Sequence, residues 1–80
     1  EKIQAIRESL ESIPEILDVH EIRARYVGDS ALSVDLHMEV DGEMSVREGH
    51  DISTRARKLL MEKYKDIVDV IVHLEPYSGS

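Results

Sequence analysis

The sequence predicts an α+β fold in which two helices cover one face of a three-stranded sheet, in the order helix, strand, strand, helix, strand. One observation is a strict alternation of apolar and polar residues from Ser33 to Val40, which is typical of a half-buried strand. Another is the pair of segments, one before and one after that strand, whose apolar residues recur every three or four positions. Two helices packed on one face leave the other face of the sheet open, so we expect an open-faced αββαβ sandwich.

The first helix and the first two strands follow from local signals. Ile3, Ile6, Leu10 and Ile13 form one stripe, so a helix is predicted over residues 1–13 and is stopped by Pro14. Strands are predicted at Val19–Val27 and Ala31–Val40, and Gly28-Asp29 between them indicates a hairpin and antiparallel pairing. The alternation predicts two sets of side chains on opposite sides of the first strand: His20, Ile22, Ala24 and Tyr26 against Glu21, Arg23 and Arg25.

The second helix is predicted from Val46 to about Lys65. Ser45 and Glu48 form a capping-box pattern at its start. Its predicted buried stripe comprises Val46, Ile52, Ala56, Leu59, Leu60 and Tyr64, with Gly49 beside it and another backbone expected close to that glycine. The third strand is predicted at Ile67–Leu74, ended by Pro76, with Val68, Val70, Val72 and Leu74 facing one way and Asp69, Ile71, His73 and Glu75 the other.

Composition limits the class of function. The 80 residues predict one domain over residues 1–77, with 78–80 as a tail that is in part foreign to the domain. A core of this size is marginal and cysteine is absent, so a metal or a second subunit is the expected support. The net charge of −7 argues against nucleic acid or an anionic membrane as a partner and suits cations. No apolar run is long enough to span a membrane, and the chain is expected to be a domain of a longer protein.

Four histidines lie outside the apolar patterns. Asp35 and Glu39 flank His37 on the polar face of the second strand, and His73 shares a strand face with Glu75. His50 lies at the start of the second helix, while His20 is placed at a loop-to-strand junction and has the strongest purely structural explanation. Imidazole and carboxylate are the usual ligands of zinc and other divalent first-row metals. A solvated sheet face explains the same residues, so the spacing alone leaves both interpretations open.

Three motifs together resemble the cytoplasmic C-terminal domain of cation diffusion facilitator transporters, including the magnetosome branch of that family. They are Val34-Asp35-Leu36-His37-Met38-Glu39-Val40, Glu48-Gly49-His50 and Val70-Ile71-Val72-His73-Leu74-Glu75-Pro76, together with Val19-His20-Glu21 at the first strand. The resemblance covers essentially the whole chain. It implies a metallochaperone-like, ferredoxin-like αββαβ fold, which agrees with the pattern above.

The resemblance also implies a set of metal ligands. His20, His37, His50 and His73 match histidine ligands of zinc-transporting members, and Asp35 matches a carboxylate ligand of the magnetosome branch. Glu75 stands where an aspartate that bridges two metals is typical, which puts a two-metal site in doubt. The ligand types favour zinc, with Fe(II) and Mn(II) as alternatives. His73→Ala is expected to weaken metal binding most, and His20→Ala least.

The implied function is regulatory. We expect a homodimeric, metal-sensing domain on the cytoplasmic side of a membrane, attached to the transmembrane domain of a divalent-cation/proton antiporter, in which bound metal closes the dimer and favours transport. The alternative is a stand-alone ferredoxin-like module that binds a small ligand or dimerises without metal. An enzyme is not expected, because the chain has no cysteine, no nucleophile elbow and little room for a substrate pocket.

Overall fold

Two helices and three strands follow one another in the predicted order. The computed structural model describes residues 2–78, with α1 at Lys2–Glu11, β1 at Asp18–Val27, β2 at Ala31–Val40, α2 at Val46–Lys63 and β3 at Ile67–Pro76. The predicted start of the first helix at residue 1, and residues 79 and 80 of the predicted tail, lie outside the described residues. The first helix ends at Glu11, two residues before its predicted end, because residues 12–15 form turns ahead of and through Pro14. β3 continues to Pro76, two residues beyond its predicted end.

β2 is the central strand of the sheet, and it is antiparallel to β1 and parallel to β3. α1 packs against β1, α2 packs against β3, and the two helices contact each other. The core therefore lies between the helices and one face of the sheet, as predicted. Its largest fully buried side chains are Ile6 and Leu10 of α1, Val19 of β1, Val34, Leu36 and Met38 of β2, and Leu60 of α2.

A bulge in β1 overturns the predicted alternation of that strand. His20 lies opposite His37 and Arg23 lies opposite Asp35. Between these pairs β1 has two residues, Glu21 and Ile22, whereas β2 has only Leu36. Glu21 adopts a φ of 52°, an uncommon conformation for a residue with a side chain. The extra residue puts His20 on the same sheet face as Arg23, whereas simple alternation grouped it with Ile22. His20 is also the third residue of β1 and not a residue of a loop-to-strand junction.

A second irregularity, at the start of β3, exchanges the predicted roles of two neighbours. Leu32 pairs with Ile67, but Ser33 pairs with Asp69, so Val68 is the extra residue. Ile67 is 3% exposed and Val68 is 51% exposed, the reverse of the predicted pattern. From Val70 onward the alternation of β3 runs as predicted, and it directs His73 and Glu75 to the open face of the sheet.

The start of α2 packs against the end of β3. The Ser45 hydroxyl accepts a hydrogen bond from the Glu48 backbone N–H, and the Glu48 carboxylate accepts one from the Ser45 N–H, so the predicted capping box is confirmed. Val46, which was predicted to be buried, is 90% exposed, because it lies at the first position of the helix and off its apolar stripe. A Cβ at Gly49 would stand 2.6 Å from Cδ2 of Leu74, so the close neighbour of this glycine is a side chain and not the predicted backbone.

Candidate metal site

The open face of the sheet carries two adjacent rows of metal-ligating residue types, each row running across all three strands. In one row His20, His37 and His73 lie opposite one another on β1, β2 and β3. In the next row Asp18, Glu39 and Glu75 do the same. Residues two apart on a strand share a face, so the two rows lie side by side on the surface that the helices leave uncovered. Pairing across the sheet thus gathers residues that are far apart in sequence.

The histidine row is stacked. The ring centroids of His20 and His37 are 5.3 Å apart at an interplanar angle of 20°, and those of His37 and His73 are 4.6 Å apart at 14°. Near-parallel rings at this separation are in contact along their faces. The ring nitrogens of His20 and His37 lie next to carboxylate oxygens.

Glu75 and His37 form the strongest polar contact of the site. Nδ1 of His37 is hydrogen bonded to a carboxylate oxygen of Glu75, and its Nε2 lies 3.5 Å from Oε1 of Glu21. The hydrogen bond to Glu75 is the main reason that the pKa of His37 is raised above its ordinary value, with partial loss of solvation acting against it. The same hydrogen bond lowers the pKa of Glu75. A metal ion bound here has to displace the proton that these two groups share.

His20 stands at the junction of the two rows. Its Nε2 lies 3.5 Å from Oε1 of Glu75, and its Nδ1 lies 3.7 Å from Oδ2 of Asp18 and 3.8 Å from Oε2 of Glu39. Two overlapping groups result, His20 with His37 and Glu75, and Asp18 with His20 and Glu39. In each group one potential ligand atom of every residue lies within 4.8 Å of those of the others.

The chemistry of both groups fits a divalent cation. Zinc binds imidazole nitrogen and carboxylate oxygen at about 2.0–2.2 Å, which places neighbouring ligand atoms about 3–4 Å apart. The ligand atoms of each group lie within 4.8 Å of one another, which is close to that spacing. His20, His37 and Glu75 are each partly exposed, so water can complete the coordination shell and an ion can enter from solvent.

The structure brings together three of the six predicted ligands. His20, His37 and Glu75 form one group, and His73 stacks on His37 without joining either group. Asp35 lies on the same face but one row farther along the strand, opposite Arg23. His50 is exposed on α2, and among residues 2–78 neither it nor Asp35 belongs to a group of metal-ligating side chains.

Sequence reasoning missed three residues of the site: Asp18, Glu39 and Glu21. Asp18 was assigned to the connection before β1, and Glu39 was noted only as a neighbour of His37. Parity could have found Glu39, which stands two residues after His37 on the same face of β2. It could not have found Asp18, because simple hairpin pairing puts Asp18 and His20 on the other face, and only the bulge in β1 brings them opposite Glu39 and His37. Glu21 was missed because the predicted alternation put it on the side of β1 opposite to His20; its Oε1 lies 3.5 Å from Nε2 of His37.

Within residues 2–78, neither helix has the length and apolar character that crossing a bilayer requires. The two helices instead serve as the cover of the core.

Comparison with known proteins identifies the family of this chain. A family model described as "Cation efflux protein, cytoplasmic domain" matches residues 1–77. Manganese efflux system protein MneS of Bacillus subtilis is 32% identical over 75 residues, which cover 92% of this chain and 25% of MneS. The chain thus spans about a fifth to a quarter of the length of the curated relatives it matches.

Solved structures of similar domains share the fold. The cytosolic domain of a cation diffusion facilitator family protein superposes with a TM-score of 0.87 at 34% identity, covering 95% of this chain and 89% of that one. The metal-bound C-terminal domain of the CzcD transporter from Thermotoga maritima gives a TM-score of 0.86 at 35% identity, with 92% and 85% coverage. The fold, the motifs and these matches lead to one conclusion: the chain belongs to the family of cation efflux protein cytoplasmic domains.

Proposed function

We propose that this domain senses divalent cations and regulates a membrane cation transporter by dimerising in a metal-dependent arrangement. The observation that carries the proposal is the group formed by His20, His37 and Glu75 on the open face of the sheet. The proposed role is binding and not catalysis. A metal-bound structure of the similar CzcD domain supports cation binding by a domain of this fold.

Charge supplies the physical link between metal and dimer. Two copies of a chain with a net charge of −7 carry −14 (2 × −7), and this repulsion opposes the approach of two acidic sheet faces. The Asp18, Glu39 and Glu75 row concentrates that charge on the open face. A cation held there neutralises part of it. If the closed dimer binds the ion more tightly than the open dimer, the ion shifts the population toward the closed form.

The ligands proposed for one chain are His20, His37 and Glu75, with His73 next to them. His37 and Glu75 hold each other in position through their hydrogen bond, and the stacked rings of His20 and His73 restrict the orientation of the His37 ring. Asp35 and His50 belong to the proposal only as ligands that meet an ion in the dimer, since within one chain they stand apart from both groups.

The proposed metal is zinc for the nitrogen-rich group, with Fe(II) and Mn(II) as alternatives. Two imidazoles and one carboxylate suit zinc, whereas sites with a larger share of carboxylate accept harder ions. The relatives include two manganese efflux system proteins, which supports keeping manganese among the candidates.

The proposed setting is the cytoplasmic side of a membrane, with this domain attached to a transmembrane domain that exchanges divalent cations for protons. The support is the family itself and the fraction of each relative that the chain spans. In that setting, a rise in cytoplasmic metal would favour the closed dimer and so promote export.

Sedimentation equilibrium combined with X-ray scattering tests the proposal. We expect a dimer of twice 9.1 kDa with and without zinc, and a smaller radius of gyration when zinc is bound. The control is His37→Ala, which removes one ligand. The radius of gyration of this variant's dimer should not change when zinc is added. A monomer under all conditions, or a wild-type dimer whose scattering does not respond to zinc, manganese or iron(II), would contradict the proposal and favour a dimerisation module without a metal role.

A further inference from the structure

We infer that Asp18, His20 and Glu39 form a second cation site, which prefers a carboxylate-binding ion such as Mn²⁺ and which competes with the first site for His20. The inference rests on the proposed function, since both sites serve the same open face. It differs from that function in its residues: Asp18 and Glu39 are not among the ligands proposed above.

Glu39 is an unusually buried acid for the surface it occupies. It is 7% exposed, although it lies on the face that the helices leave open. Its Oε1 accepts one long hydrogen bond of 3.4 Å from the backbone N–H of Ser78. Its Oε2 is directed at Nδ1 of His20 across 3.8 Å, which is beyond hydrogen-bond distance. A carboxylate removed from water to this degree normally has a charged or strongly hydrogen-bonded partner.

The negative charges next to Glu39 also favour a bound cation. Asp18 lies directly opposite it on β1, and Glu75 lies directly opposite it on β3. Like charges in directly opposed positions of a sheet destabilise the pairing. Within residues 2–78 no lysine or arginine forms an ion pair with Asp18 or Glu39, and only His20 lies near both. An ion between Asp18 and Glu39 would remove this repulsion.

His20 makes the two sites mutually exclusive. Its Nδ1 faces Asp18 and Glu39, while its Nε2 faces Glu75. A neutral imidazole has a lone pair on only one of its nitrogens, and the other carries a proton. His20 can therefore serve as a ligand to one group at a time, and the choice depends on which nitrogen is deprotonated.

The two groups differ in ligand type, so they should differ in the ion they select. The first offers two imidazoles and one carboxylate, and the second offers one imidazole and two carboxylates. Nitrogen-rich sets suit zinc, and carboxylate-rich sets suit harder ions such as manganese. The chain would then hold zinc on the His37 side of His20 or manganese on the Asp18 side.

Calorimetry on matched variants tests the assignment. Asp18→Asn and Glu39→Gln remove one charge each at nearly constant shape, Glu75→Gln does the same in the first group, and Asp29→Asn in the exposed hairpin turn is the control. We expect Asp18→Asn and Glu39→Gln to weaken Mn²⁺ binding by at least about tenfold and to leave Zn²⁺ binding unchanged. Glu75→Gln should do the reverse. A loss of about tenfold is already found when a residue that only hydrogen bonds to a metal ligand is replaced. If neither Asp18→Asn nor Glu39→Gln alters Mn²⁺ affinity more than Asp29→Asn does, the second site does not exist.

Competition monitored by electron paramagnetic resonance tests the sharing of His20. Bound Mn²⁺ loses the sharp signal of the free ion, and one equivalent of Zn²⁺ should restore it by displacing Mn²⁺. Retention of both ions on one chain would overturn the exclusivity. If the wild-type domain binds Zn²⁺ and both Asp18→Asn and Glu39→Gln bind Mn²⁺ normally, only this inference is refuted. If the wild-type domain binds neither ion, the proposed function is refuted as well.

Discussion

Replacing His20 by alanine should weaken metal binding more than any other histidine substitution in this chain. His20 is the one residue common to both candidate groups, and three carboxylates surround its two ring nitrogens at 3.5–3.8 Å. His73 belongs to neither group. The structure therefore favours a prediction opposite to the one made from the sequence, in which His73→Ala was expected to have the largest effect and His20→Ala the smallest.

The size of the effect can be estimated from mass action. At a zinc concentration 100 times the dissociation constant, binding stabilises the wild-type domain by about 2.7 kcal/mol. For a domain of this size about 1 kcal/mol corresponds to about 4–8 °C, so zinc should raise the melting temperature by about 11–22 °C. If losing His20 raises the dissociation constant about 100-fold, the same zinc concentration contributes only about 0.4 kcal/mol. The zinc-dependent rise then shrinks to about 2–3 °C.

Thermal unfolding followed by circular dichroism, with and without zinc, measures both numbers. Without metal, His20→Ala should melt close to the wild type, because the side chain is partly exposed and substitutions away from the core usually change stability by less than about 0.5 kcal/mol. The matched control is Arg25→Ala, an exposed residue of the same strand on the same face. An undiminished zinc shift in His20→Ala, or an equal loss in Arg25→Ala, would refute this account of the site.

Three further predictions concern pH, helix capping and the core. The mutual hydrogen bond raises the pKa of His37 and lowers the pKa of Glu75. The pair therefore stabilises the metal-free domain at pH values between these two pKa values. This contribution is lost as pH rises through the pKa of His37 or falls through the pKa of Glu75. Zinc binding needs neutral His37, so the zinc affinity measured by calorimetry should fall as pH is lowered, beginning above pH 6.5 or so. Glu75→Gln should move that fall to lower pH. A zinc affinity that does not change from pH 8 to 6 would contradict the link between zinc binding and the protonation of His37. Ser45→Ala removes half of the capping box of α2 and should cost about 1 kcal/mol in chemical denaturation while zinc affinity stays constant. Leu36→Ala empties a fully buried position on the central strand and should cost about 2–5 kcal/mol, and a loss below 1 kcal/mol or so would show that Leu36 is not in the core.

The αββαβ order, the hairpin, the capping box and the aliphatic core could all be predicted from the sequence, because each is encoded within a short segment. Alternation along β2 identified Val34, Leu36, Met38 and Val40 as the core face, and all four are buried. The spacing of Ile52, Ala56 and Leu60 identified the buried side of α2 in the same way. Hydrophobic burial acts along whole elements with fixed periods, so local pattern is enough to predict it.

The bulge at Glu21 and the irregularity at Val68 could not be predicted in this way. Each inserts one residue into a paired strand, and the choice of which residue is extra depends on packing against the neighbouring strand. The consequence at the site is large, because the bulge puts His20 opposite His37, on the same face as Arg23. The expected face of His20 was wrong for this reason alone.

The sequence by itself determined which chemical groups the open face would present. They are imidazoles and carboxylates, and the polar side of β2 carries no lysine among them. Only the tertiary structure decided which of those groups meet. Strand register aligns His20, His37 and His73 in one row and Asp18, Glu39 and Glu75 in the next, and it leaves Asp35 and His50 outside both groups. Contacts between strands depend on register, and a shift of one residue moves a side chain to the opposite face, so no pattern within a single strand could establish them.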